Sequence, residues 1–186
     1  MSFHRVFLAI KLPEPFIASL AQYQASLDSS LFKIEKPEQL HLTLIFLGSL
    51  QDKDIDLVQN IVSNLTKDLK PLKVKFTNIT YGPNTYNPRL IWAQGEPNKF
   101  LETLKRDIEA DLENKINFSP ENRPLLPHIT LARVKTNNYH YLPPQSKINT
   151  SLFFEFIPQS LWLVESQLKT TGAEYTDLKE FYFKKN

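Results

Sequence analysis

The chain has 186 residues, 41% of them hydrophobic and 23% charged, and no cysteine. That length suits one domain or two small lobes sharing a core, and the missing thiols exclude disulfides, zinc–thiolate sites and a cysteine nucleophile. A formal net charge of +2 permits an anionic substrate without a broad nucleic-acid footprint, and four glycines with neither GxGxxG nor GxxxxGK(S/T) exclude a glycine-rich phosphate loop.

Residues 6–12 form a short apolar run rich in strand formers, closed by Pro13. At residues 6–10 the run is too short for a secretory h-region, and Lys11 follows at once. No stretch approaches the roughly 20 apolar residues of a membrane span. A soluble, cytoplasmic protein is the expectation. Pro13, Glu14 and Pro15 suit a helix start, with Phe16, Leu20, Gln24 and Leu27 on one side. A turn at residues 28–30 and a brief strand at 32–34 follow.

Residues 41–47 (HLTLIFL) read as a strand stopped at Gly48. Residues 52–70 read as a helix, because Ile55, Val58, Val62, Leu65 and Leu69 recur at spacings of three and four. Residues 72–81 and 89–94 read as a strand pair separated by Gly82-Pro83 and Asn87-Pro88. Pro97 opens a helix striped by Phe100, Leu104, Ile108, Leu112 and Ile116, and a proline-containing loop covers 117–127. Residues 128–134 (HITLARV) are again a strand. A polar, proline-rich connection spans 135–149, and strands at 152–157, 160–168 and 175–183 close the chain. The mixed order predicts an α+β fold with largely antiparallel sheets in one two-lobed domain over residues 1–186.

The informative repeat is short: HLTL at 41–44 and HITL at 128–131. A chance match of this kind for two of the four histidines is roughly 1 in 10⁴. Strand alternation puts His41 and Thr43 on one face and Leu42 and Leu44 on the other. The same alternation separates His128 and Thr130 from Ile129 and Leu131. Two such strands side by side make a groove with two imidazoles and two hydroxyls. Opening a cyclic phosphodiester needs a base for water and an acid for the leaving alkoxide, and two imidazoles can hold opposite protonation states near neutral pH. Two threonine hydroxyls can donate to the non-bridging phosphate oxygens.

A lone strand histidine is ordinarily structural, but a matched pair with same-face threonines is not explained that way. A catalytic zinc site needs a third protein ligand, and none recurs near either motif. No GxSxG marks a serine nucleophile. No metal and no cofactor are expected.

HLTLIFLG and RPLLPHITLAR resemble the two signature motifs of the two-histidine (HxTx) phosphoesterases, and within them the RNA 2′,3′-cyclic phosphodiesterases, also called 2′-5′ RNA ligases. RVFLAIKLP at 5–13, PRLIWAQG at 88–95 and LVESQLKTTGAEYTDLKEF at 163–181 extend the similarity along the chain. The resemblance implies a bilobal fold: two mostly antiparallel sheets related by a pseudo-twofold, outer helices and a central cleft. It implies His41 as proton donor to the 3′ oxygen, His128 as proton acceptor from water, and phosphate binding by Thr43 and Thr130. The residues themselves do not say which histidine is the acid.

Arg133 on an ideal strand faces away from His128, although a bulge would swing it to the phosphate. Phe46 shares a face with Leu42 and Leu44, which favours core over base stacking, yet Phe46 and Arg133 both stand as candidate substrate-binding residues. Trp92 reads as core, and Lys169, Arg123 and Arg89 as solvated charges. The expected partners are RNA with 2′,3′-cyclic phosphate ends or small cyclic nucleotides, with the protein a monomer away from membranes. Alternative readings are ligation by the same site run backwards, hydrolysis of other cyclic or 2′-5′ linked nucleotides, and a non-catalytic RNA- or nucleotide-binding module.

Overall fold

The computed structural model describes residues 2–121, 123–135, 140–170 and 172–184. Nine strands and four helices are ordered as β1 (His4–Lys11), α1 (Glu14–Gln24), β2 (Phe32–Ile34), β3 (His41–Leu50), α2 (Asp52–Thr66), β4 (Val74–Gly82), β5 (Leu90–Gly95), α3 (Lys99–Leu112), β6 (His128–Val134), α4 (Gln145–Ile148), β7 (Thr150–Phe156), β8 (Ser160–Lys169) and β9 (Gly172–Tyr182) among the described residues. A 3₁₀ turn, Pro37–Gln39, leads into β3. No described helix is long and apolar enough to cross a membrane.

Two antiparallel sheets result, in the orders β3-β1-β8-β9 and β2-β6-β5-β4-β7. The order repeats. Each HxT strand pairs with a strand that precedes it across a helix, β1 for β3 and β5 for β6, and two more strands extend each sheet beyond. β3 and β6 touch where the sheets meet, which brings the two motifs together. This is the α+β, two-sheet architecture expected from the sequence.

Apolar side chains pack on both faces of β1, and that explains the unbroken burial of residues 6–10. Val6, Leu8 and Ile10 join the main core, while Phe7 and Ala9 form a second apolar patch with Val164, flanked by Trp162 and Tyr175. Helix α1 lies on the other sheet. Its Phe16 is fully buried and stacks on Phe154 with centroids 4.1 Å apart and planes 4° from parallel. Burying such a ring contributes about 1.5–3 kcal/mol, and the stacked pair about 0.5–1.5 kcal/mol more. Helices α2 and α3 pack against each other and against β9 and β3.

Several boundaries differ from the sequence expectation. β3 does not stop at Gly48 but runs to Leu50, because Gly48, at φ 80°, takes up a register shift against β1 as a bulge residue. α2 ends at Thr66, short of residue 70, where the Thr66 hydroxyl donates to the Val62 carbonyl at 2.9 Å. α3 ends at Leu112, and Asn114 at φ 63° turns the chain, so Ile116 packs on the core from outside the helix. The connection expected to be irregular contains the short helix α4, whose Ile148 is buried.

One buried polar residue ties α1 to the second sheet. Gln24, 3% exposed on α1, donates both amide hydrogens, to the Leu131 carbonyl on β6 and to the Glu35 carbonyl after β2, each at 2.8 Å. Gln24→Met should lower stability by about 1–3 kcal/mol, since the Glu35 carbonyl loses the Gln24 donor and the buried Leu131 carbonyl loses one of two, while the volume is kept. Urea unfolding followed by circular dichroism measures it, and an unchanged midpoint would show that the amide is not needed.

Candidate active site

A cleft of about 600 Å³ opens between the sheets. Its walls include His41, Thr43 and Phe46 from β3, and His128, Thr130 and Arg133 from β6. All six residues singled out in the sequence therefore meet in one place, from strands of different sheets.

The two motifs are built alike. In β3 the partners of β1 skip from Ile45 to Thr43, leaving Leu44 as an extra residue. In β6 the partners of β5 skip from Ala132 to Thr130, leaving Leu131 extra. Each bulge falls one residue past the threonine and shows as two adjacent buried residues, Leu44–Ile45 and Leu131–Ala132. Alternation resets there, so the residue five past each histidine returns to the histidine's face. That residue is Phe46 in one strand and Arg133 in the other. Phe46 is 64% exposed on the cleft wall, which corrects its reading as core; the ideal-strand placement of Arg133 away from His128 is corrected too. The freed Leu131 carbonyl is satisfied by the Gln24 amide and by the Glu35 N–H at 2.9 Å.

Both imidazoles are held by the same device. His41 Nδ1 lies 2.7 Å from the Gln39 carbonyl, and His128 Nδ1 lies 2.9 Å from the Leu126 carbonyl, each two residues upstream. A carbonyl oxygen only accepts, so Nδ1–H is the donor in both rings. Nε2 is left as the variable atom, a lone pair when the ring is neutral and a donor when it is charged. The rings rest on aromatic floors. Phe7 and Tyr175 flank His41 at centroid distances of 5.0 and 5.3 Å, and Trp92 lies against His128 at 4.4 Å. Trp92 is buried, as expected, and its indole N–H has no hydrogen-bond partner among the described residues. It also lies where a side chain at Gly82 would sit: a Cβ there would come within 2.4 Å of the ring.

Burial on these floors pushes both histidines below their ordinary value of 6.5. The carbonyl bonds oppose the shift by favouring the charged ring. Near neutral pH the free protein therefore holds both rings neutral, rather than in opposite states. His4 behaves the other way: bonded to Glu165 at 2.8 Å and facing Asp52 at 3.0 Å, it titrates above 6.5.

The charges around the cleft were only partly visible in the sequence. Arg133 donates to Glu35 at 2.6 Å. Glu35, Lys33, Arg5, Phe7, Gln39 and Tyr175 line the cleft, although nothing in their local sequence marked them. Gln39 also donates to the Ala173 carbonyl at 2.7 Å, fastening the β8–β9 hairpin beside His41. Lys169 lines the cleft while paired with Glu174; Arg123 pairs with Glu121. Among the described residues, no three of His, Cys, Asp and Glu cluster so as to hold a metal ion.

Comparison with known proteins agrees with this geometry. Residues 10–92 match the family model described as LigT-like phosphoesterase. A curated RNA 2′,3′-cyclic phosphodiesterase of Thermus thermophilus is 32% identical over 183 residues, 95% of this chain and 89% of that one. The chain belongs to the LigT-like phosphoesterases. A second curated relative of the same name, from Methanocaldococcus jannaschii, is 31% identical over 95% of this chain and 99% of its own. Among solved structures, a Thermus thermophilus protein superposes with a TM-score of 0.85 at 30% identity, covering 96% of this chain and 97% of that one. The LigT-like fold also matches E. coli LigT, solved with NADP+, at a TM-score of 0.77 and 19% identity, covering 98% and 99% of the two chains.

The histidine states can be read directly. In ¹⁵N-resolved NMR titrations, His41 and His128 should titrate below 6.5 as Nδ1–H tautomers, and His4 above it. A midpoint at or above 6.5 for either cleft histidine would contradict the desolvated floors described above.

Proposed function

We propose that this phosphoesterase hydrolyses RNA 2′,3′-cyclic phosphodiester ends to 2′-phosphates by metal-free acid–base catalysis in the HxT cleft. The observation that carries the reading is the matched pair of Nδ1–H···O=C bonds, which fix two imidazoles in one cleft with Nε2 as the reactive atom of each. The names of the relatives from Thermus and Methanocaldococcus support the substrate class.

In this mechanism His128 Nε2 takes a proton as the water oxygen bonds to phosphorus. The bond from phosphorus to O3′ breaks as His41 Nε2 delivers a proton to O3′. The product is a 2′-phosphate beside a free 3′-hydroxyl, and the rings return to their starting states by exchange with solvent. Thr43 and Thr130 donate to the non-bridging oxygens, where charge accumulates. Arg133, brought to the same face by the bulge, adds a guanidinium, and binding phosphate requires it to share or leave Glu35. Phe46 offers an exposed ring for the terminal base. His41 must be charged to act as an acid, whereas burial keeps it neutral in the free protein. The bound phosphate anion supplies the opposite charge that raises its proton affinity.

His41→Ala and His128→Ala should each lower kcat by about 10² to 10⁴, and Thr43→Ala and Thr130→Ala by about 10 to 10³, all with turnover undiminished by EDTA. Loss in EDTA restored by zinc or manganese would overturn the metal-free route. The roles separate on a cyclic phosphate with a low-pKa leaving group, which needs little acid assistance. His41→Ala should regain much of its rate there, and His128→Ala should not. Rescue of His128→Ala instead would reverse the two roles.

A further inference from the structure

Lys33 on β2 is directly opposite Arg133 on β6 in the antiparallel register, so both side chains point from the same face. That face is the cleft wall, and both residues line the cleft. Like charges directly opposed on neighbouring strands destabilise a sheet. Glu35 compensates Arg133 at 2.6 Å, while Lys33 has no ion-pair partner among the described residues. Across the cleft, the β8–β9 hairpin approaches Lys33 with Gly172, whose backbone is at φ 139° and whose missing side chain leaves room: a Cβ there would lie 3.2 Å from Lys33 Nζ. The hairpin is held there by Gln39. Sheet and hairpin thus converge on an uncompensated ammonium at the outer edge of the second sheet, one strand beyond Arg133.

We propose that Lys33 binds the phosphodiester immediately 5′ of the terminal nucleoside, so that the site takes RNA chains in preference to free cyclic mononucleotides. The proposal rests on the cyclic-phosphodiesterase reading above. If the reacting phosphate sits among His41, His128, Thr43, Thr130 and Arg133, the next unmatched positive charge along the second sheet's wall, among the described residues, is Lys33. A mononucleotide carries no second phosphate to meet it, whereas any longer RNA does. The charge left without an ion-pair partner on Lys33 in the free protein, among the described residues, is met when that phosphate binds.

The test compares adenosine 2′,3′-cyclic phosphate with a trinucleotide RNA ending in a 2′,3′-cyclic phosphate. Wild-type protein should turn over both, with higher kcat/KM on the trinucleotide. Lys33→Gln should lower the trinucleotide-to-mononucleotide ratio of kcat/KM by about 10-fold, chiefly through KM, and reduce the slope of log kcat/KM against log salt for the trinucleotide by about 0.7. Lys33→Arg should restore most of the ratio. Removing the opposed charge should also leave the thermal midpoint of Lys33→Gln unchanged or raised, which a structural role for the lysine would not do. An unchanged ratio and slope in Lys33→Gln overturn the proposal, as does equal loss on both substrates, which would assign Lys33 to the reacting phosphate. Wild-type protein inert on both substrates would overturn the cyclic-phosphodiesterase reading instead.

Discussion

Each HxT strand carries, just past its threonine, a residue that its partner strand cannot pair, and the position of that residue decides what faces the cleft. Were β3 and β6 regular, Ile45 and Ala132 would follow the histidines and threonines on the cleft face, with Phe46 and Arg133 turned into the core. The extra residues Leu44 and Leu131 reset the alternation after the threonine. The proposed site is then a row of three side chains per strand: imidazole, hydroxyl, and an aromatic ring or a guanidinium. A bulge frees backbone groups that must find partners. Around β6 that need is met by Gln24 from α1 and by the Glu35 amide, so a helix on the far side of the sheet takes part in holding the cleft wall. The same contacts place Glu35 beside Arg133.

The imidazoles depend on a second backbone feature, the chain just before each strand. The Pro37–Gln39 turn presents the Gln39 carbonyl to His41, and the loop before β6 ends with the Leu126 carbonyl facing His128. The carbonyls select one tautomer, and the aromatic floors remove water. The two effects act in opposite directions on the proton affinity of each ring, and desolvation wins in both. An imidazole held in this way is neutral in the free state and gains proton affinity on meeting an anion.

The sequence carried the parts of this arrangement that are local. The repeated HxT, the apolar residues behind it and the antiparallel α+β order were legible because alternation along a strand is a short-range property. Phe46 and Arg133 were placed by the same alternation, and it failed at the bulge, a feature set by the mismatch between two strands rather than by either strand's residues. Lys33 and Glu35 were not legible at all. Their place on the cleft follows from β2 pairing with β6, a contact between residues about a hundred apart in the chain. Helix ends failed for another reason: a hydroxyl bonding back to Val62 and a left-handed Asn114 ended periodic patterns that the apolar spacing alone would have continued.

The pH dependence of kcat/KM on an RNA 2′,3′-cyclic phosphate tests the central claim most directly, because it reports the free protein's essential acid and base. Two half-buried, mutually sensitive histidines should give a bell whose rising and falling limbs both lie below 6.5 and belong to the pair rather than to either ring. In kcat the falling limb should move to higher pH, because the bound phosphate favours the charged acid. A kcat/KM profile that keeps rising or stays level well above 6.5, with no falling limb, would contradict a two-histidine acid–base site.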